Sequence, residues 1–380
     1  MKRTIQSLLL VLIPSMTFAA PAVTAIRCPN GGIQPQVAVD SAGKAHLIYL
    51  TGEDGKNNVM YVTSADDGKT WSKPLRVNSQ PGAAIATGTV RGAHLALGKG
   101  GRAHVAWMGS SIAQPRGPRD STPMLYARLG DAGETFEPQR NLITSATGLD
   151  GGGSVAADDA GNVYVGWHAP TPGMKGEENR TVWLAASGDD GKTFVAETRM
   201  LSQSTGACGC CGMRLGIDSR GNLLTLYRAA NQETRDIYLA EPSKGGYSPS
   251  KLETVAIKTC PMSTMSFARG GERMLAAWEG MGQVSLASID SKTLRAGEPI
   301  APPGRGNTRK HPTLAINKNG DALFAWSEGT GWKKGGSVAW QVYDSSLKPV
   351  EGASGRKNDL AVWSLPAAFA GSDGSFVIVY

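Results

Sequence analysis

The residues in this chain most suited to chemistry are its five cysteines, Cys28, Cys208, Cys210, Cys211 and Cys260. Three crowd into Cys208-Gly-Cys210-Cys211-Gly-Met213, and Cys260-Pro-Met262-Ser-Thr-Met265 follows. Cys28-Pro29 carries the same Cys-Pro pair near the start. Thiolates and thioethers are soft donors that select Cu(I) over harder ions, so these cysteines with Met213, Met262 and His311 make a suitable copper donor set. Zinc fits less well, because C-x-C-C lacks the usual paired knuckles. Two other chemistries compete for the same residues. In an oxidising compartment Cys208 or Cys210 can staple to Cys260 or Cys28, and an odd count of five leaves one thiol over. A thiol redox centre is the third, here without a thioredoxin-like α/β context. No C-x-x-C-H occurs, which excludes covalent haem attachment.

A second constellation is cationic. Arg91, Arg214 and Arg309 each precede a short apolar strand, and guanidinium groups so placed can clamp a carboxylate through paired hydrogen bonds. Glu279 and Glu328 follow second-strand ends, where they can serve as carboxylates toward a ligand, Glu279 as part of the anion or glycan site, or stand as solvated or Arg-paired rim residues. Trp363 offers a stacking platform for a sugar or other ligand. His46 and His104 lie mid-strand and read as packed residues, whereas His94 and His311 stand at strand starts.

The elements that must position these groups are written seven times. A short apolar strand runs into a turn, and a second strand ends in an aromatic residue nine positions after the turn residue. The pairs are Asp40/Tyr49, Gly98/Trp107, Asp158/Trp167, Asp218/Tyr227, Arg269/Trp278, Asn317/Trp326 and Gly371/Tyr380. Turns recur every 48 to 60 residues. An all-strand repeat of this period predicts an all-β fold, a β-propeller of four-stranded blades. The start of the first strand and the end of the second then open on one face. All five cysteines, the three arginines, His311 and Trp363 precede first strands, and Glu279 follows a second strand, so all of them are expected at one central mouth.

Between the third and fourth strands lies another repeated block. Ser64, Asp66, Gly68, Thr70 and Trp71 make the first copy, and Ser187, Asp189, Gly191, Thr193 and Phe194 the second. Asp131, Gly133 and Phe136 mark a degraded third. These blocks resemble the Asp-box of the sialidase-like (BNR-repeat) superfamily. The resemblance covers nearly all of the chain beyond residue 25 and implies one sialidase-like propeller domain over 26–380. Seven units favour seven blades, with six, as in the sialidases proper, the alternative. The seventh unit has only two strands, so residues 22–28 are expected to add an outer strand to it. The family clamps sialic acid with three arginines and uses a Tyr/Glu nucleophile pair with an Asp acid/base. Here Arg27-Cys28-Pro29 stands where an Arg-Ile-Pro-type motif would be, no acidic residue begins a first strand, and no Tyr neighbours the arginines. An active sialidase is therefore not expected. An exo-sialidase, another glycoside hydrolase or a glycan-binding lectin using the arginines is the alternative.

Composition agrees. With 41% hydrophobic residues, 49 Gly and 21 Pro, the chain has ample core and many turns. Lys2 and Arg3 precede the apolar run 8–13 and small residues follow, which reads as a signal peptide over 1–25 cut after Ala25, with Phe18-Ala19-Ala20 as a second cleavage site. The protein is expected in the periplasm or secreted, as a monomer with no integral membrane segment once processed. The formal charge of +7 includes Lys2 and Arg3, and no basic block occurs, so nucleic acid is not an expected partner. The partner expected at the mouth is a metal ion, copper first, or a small ligand or glycan.

Overall fold

The repeated turn has a local cause. Asp40 Oδ1 accepts the backbone N–H groups of Ala42 and Lys44, both at 2.9 Å. Asp218 does the same for Arg220 and Asn222, and Asn317 for Asn319 and Asp321. A side chain that closes its own turn fixes the register of the hairpin around it. A computed structural model describes residues 20–202, 204–231, 233–304, 306 and 308–380. In it, seven sheets start from the inner strands Ile33–Val39, His94–Leu97, Ser154–Ala157, Arg214–Ile217, Ser266–Gly270, Arg309–Ile316 and Ala367–Ala370. These strands touch in chain order, and the seventh touches the first, so the blades form a closed ring. The fold is all-β and seven-bladed, and among the described residues the only helices are short 3-10 turns.

Blades 1, 2, 3, 4 and 6 have four strands. Blade 5 has three, and its fourth place holds only isolated bridges, from Ala296 to Ile289 and then from Ile300 to Leu286. Pro299, Pro302 and Pro303 surround the latter, and proline has no N–H to extend a ladder. Blade 7 is completed by the N-terminal segment Val23–Ile26, which pairs parallel with Phe376–Val379. Closing the ring with the first strand leaves no open inner edge. Residues 1–19 of the expected signal peptide lie outside the described residues. Val23, Thr24 and Ala25 are part of the closing strand, so cleavage after Ala25 would remove three of its four residues, while cleavage after Ala20 would leave it whole.

The recurring aromatics fill the gaps between blades. Trp107, Trp167 and Trp278 are fully buried, as are Tyr49 and Tyr227. On the opposite face the two full Asp-boxes each tie their own blade to the one before. Asp67 accepts hydrogen bonds from Ser372 N–H (3.0 Å) and Oγ–H (2.8 Å), joining blade 1 to blade 7. Asp190 accepts from Arg102 Nε (2.6 Å) and Arg128 Nη1 (3.2 Å), joining blade 3 to blade 2. His46 and His104 are packed residues, bonded through Nδ1 to the hydroxyls of Tyr61 and Tyr126. Among the described residues no helix is long and apolar enough to cross a membrane.

Candidate metal centre

The loop entering blade 4 is pinned from three sides. Gly206 has a φ of +65°, which favours glycine, and a Cβ there would overlap the carbonyl oxygen of Ala230. Ala207 N–H donates to Glu177 O at 3.0 Å, and Gly209 N–H to Glu177 Oε1 at 2.9 Å. Cys208 N–H donates to Arg228 O at 2.9 Å, and Gly212 N–H to Ser263 O at 3.0 Å. His168 Nε2 donates to Cys211 O at 3.0 Å. Blades 3, 4 and 5 thus hold the backbone, and the sulfurs are left to meet one another.

Four sulfurs converge between blades 4 and 5. Cys210 and Cys260 form a disulfide. Cys208 Sγ lies 3.4 Å from Cys211 Sγ, 3.6 Å from Cys260 Sγ and 3.8 Å from Cys210 Sγ. Cys211 Sγ lies 3.5 Å from Cys260 Sγ. Cys208, Cys211 and Cys260 are therefore spaced as three ligands of one ion, and Cys208 and Cys210 make a second group with Glu177. A tetrahedral ion with metal–sulfur bonds of about 2.3 Å spaces its ligands by about 3.8 Å, so the cluster has the scale of a thiolate site. Burial opposes ionisation of Cys211. The hydrogen bond from Cys208, the charge of Arg228 and the local backbone outweigh it and bring the thiol down to about 6. Cys208, which donates that bond, is pushed up. Behind the sulfurs Arg228 pairs with Glu279 at 2.8 Å, each side chain only 1% exposed.

A cavity of about 90 Å³ adjoins the centre through Cys260, and Met262, Lys310, His311, Trp332 and Trp363 line it. His311 is held neutral, its value brought down to about 3 by burial and then by Lys310. Trp363 is buried and meets Trp332 edge-on at 4.7 Å, so the exposed ring is Trp332. Two sulfur residues stand elsewhere. Cys28 packs against Tyr49 and Val379, its N–H on Tyr380 O, and burial pushes its thiol up. It belongs to the seam between blades 7 and 1, so it does not join the cluster. Met213 is buried with Leu215 and Tyr227 in the packing between blades.

The arginines do not form a clamp. Arg91 is held by Asp150, through its carboxylate at 2.8 Å and its carbonyl at 2.8 Å. Arg309 donates to Glu328, Gln283 and the carbonyls of Pro302 and Pro303, and lies over the Trp326 ring. Arg214 lies apart on the axis, bonded to Gln36 and His94. Glu279 is committed to Arg228, and Glu328 to Arg309 and Arg356.

No family model matches the chain, and no curated protein matches it. Solved structures do. An α-L-arabinanase of Penicillium chrysogenum complexed with arabinobiose is 15% identical, with a TM-score of 0.51 over 86% of this chain and 98% of that one. A Trypanosoma rangeli sialidase in complex with the inhibitor DANA is also 15% identical, with a TM-score of 0.51 over 82% of this chain and 56% of that one. The Hadza microbial sialidase Hz136 is 13% identical, with a TM-score of 0.51 over 78% of this chain. The fold is that of the sialidase-like propellers. At these identities the likeness is one of fold alone, and the chain spans only 64% of the length of Hz136. This propeller carries the sulfur centre, and some of what surrounds it escaped the sequence reading. Cys208 and Cys211 were both candidates, but the C-x-x-C pair that they form inside C-x-C-C was not counted toward the redox reading, a signal that was available. Glu177 and Trp332 lie in loops outside the aligned repeat positions, and nothing local marks them.

Proposed function

We propose that the protein is an exported sialidase-like propeller, without sialidase activity, whose centre of Cys208, Cys211 and Cys260 binds Cu(I). The observation that carries this reading is the meeting of three sulfurs 3.4–3.6 Å apart in one backbone cage, two of them free thiols and the third held in the Cys210–Cys260 disulfide. Soft thiolates favour Cu(I), and the Arg228 guanidinium offsets part of their charge. Loading needs the reduced state. A dithiol reductant opens Cys210–Cys260 by exchange and takes up the oxidation as its own disulfide, and Cu(I) then displaces the thiol protons. Export is supported by Lys2, Arg3 and the apolar run 8–13, with cleavage after Ala20, which keeps Val23–Ile26 in blade 7. The absence of sialidase activity is supported by the local commitments of Arg91 and Arg309.

Titration of reduced protein with Cu(I) against a colorimetric chelator tests this. One Cu(I) per chain is expected, lost in Cys211→Ser and Cys260→Ser and kept in Cys28→Ala. Uptake unchanged in both serine variants would refute the site, and hydrolysis of a sialylated fluorogenic substrate would refute the non-hydrolytic half. A second reading has its own support, since Cys211 Sγ sits 3.5 Å from Cys260 Sγ of the disulfide. Attack of the Cys211 thiolate on Cys260 would form a Cys211–Cys260 bond and release Cys210 as thiolate. Alkylation of free thiols followed by peptide mapping separates this exchange from a static disulfide, which would leave Cys210 protected throughout.

A further inference from the structure

The propeller axis contains a charge without a counter-charge. Arg214, on the inner strand of blade 4, lines two axial cavities, one of about 60 Å³ toward the mouth and one of about 410 Å³ beneath it. Its Nη1 donates to Gln36 Oε1 at 2.9 Å and to His94 Nδ1 at 2.7 Å. No carboxylate of the described residues lies within 4.0 Å of it, and residues 1–19 contain no Asp or Glu. Arg91, Arg228 and Arg309 each have an acidic partner. Nε and Nη2 of Arg214 have no hydrogen-bond acceptor among the described residues. The upper cavity has no acidic lining residue. It is lined by neutral polar groups such as Gln34, Thr89, Ser266 and Thr313 beside His94. Because His94 Nδ1 accepts from Arg214, its Nε2 carries the ring proton and is a further donor. Gln34 is itself fixed by bonds to the carbonyls of Ala86 and Trp363, so the wall is preformed.

A guanidinium taken out of bulk water without a partner is costly, and the cost is relieved by an anion that fills the vacant donors. We propose that the axial channel binds a small monovalent anion, of the size of chloride or formate, on the Nε–H and Nη2–H groups of Arg214. One positive charge calls for one negative charge. The site is placed in the upper cavity, because Asp158, Asp159 and Asp218 line the lower one, and about 60 Å³ is far below the roughly 300 Å³ at which pockets begin to take drug-sized ligands, so the upper cavity takes no sugar. The site is separate from the cysteine centre, and either can fail without the other.

The test is thermal unfolding of the oxidised protein as chloride replaces gluconate at constant ionic strength. Tm is expected to rise by about 2 °C for each tenfold increase in chloride above its dissociation constant. Arg214→Met removes the charge and should abolish the rise while remaining folded. An equal chloride response in the variant, or none in the wild type, overturns the proposal. Should the variant not fold, wild-type crystals grown in bromide decide. An anomalous peak beside Arg214 on the axis supports the site, and no peak there at molar bromide overturns it.

Discussion

Two short glycine-containing loops on opposite faces of neighbouring blades solve the same problem differently. The Asp-box of blade 3 (187–194) closes its own turn from within and leaves Asp190 to reach blade 2. Ser187 Oγ donates to Asp189 Oδ1 at 2.7 Å and accepts Gly191 N–H at 3.0 Å. Asp189 in turn accepts Thr193 N–H at 2.9 Å and its hydroxyl at 2.6 Å. The blade 1 box repeats these bonds at 2.7, 2.9, 2.9 and 2.6 Å. The cysteine loop of blade 4 (206–213) instead takes its support from Glu177, Arg228 and Ser263 in three blades. A self-contained loop can be copied from blade to blade. A loop held by its neighbours is specific to one place in the ring, and that is where the sulfurs meet.

The sharpest way to break this contrast is to remove long-range support. Glu279→Ala leaves the Arg228 charge buried alone and should cost about 3–5 kcal/mol in denaturant unfolding. The double variant Arg228→Met, Glu279→Leu should recover most of that, and a single-variant loss below about 1 kcal/mol would mean the pair is not what braces the centre.

The next effect comes with pH. Burial, acting before all else, lowers His46 and His104, the latter to about 4. Their folded values lie below the unfolded 6.5, so the stability they contribute is complete above pH 6.5 and is lost as pH falls toward the folded values. Each adds up to about 1.4 kcal/mol per pH unit in that window. Unfolding free energy should fall between pH 6.5 and 4, less so in His104→Gln, and a flat profile would contradict the assignment. The Asp-boxes act lower still. Asp66, held down to about 2 by bonds from Thr70 and Ser64, keeps its contribution above about pH 3.8 and loses it as pH falls through 2. The smallest effect is Ser187→Ala, at about 1–2 kcal/mol, which should leave Cu(I) uptake untouched because the box sits on the other face.

What could be read in the sequence follows the same division. The nine-residue spacing located the inner hairpins because Asp40, Asp218 and Asn317 each close their own turn, an effect contained in five residues. Closure by residues 22–28 was legible for the same reason, since a two-strand unit lacks a partner. Blade 5 was read as one of six complete units, yet its fourth place holds only isolated bridges at Ala296 and Ile300, beside Pro299, Pro302 and Pro303. For the cysteines, spacing along the chain carried no information on the sector of the ring. Blades 4 and 5 are neighbours, so Cys208, Cys210, Cys211 and Cys260 meet, whereas Cys28 sits in the seam of blades 7 and 1. The arginines show the limit most clearly. Arg91, Arg214 and Arg309 occupy equivalent positions, yet Asp150, His94 and Glu328, chosen by distant parts of the chain, send them to separate tasks.

The most direct test of the sulfur centre is X-ray absorption at the copper edge on protein loaded with one Cu(I) after reduction. A first shell made only of sulfur, three atoms in number, is predicted for Cys208, Cys211 and Cys260. A shell of nitrogen or oxygen would place the metal elsewhere and contradict the account.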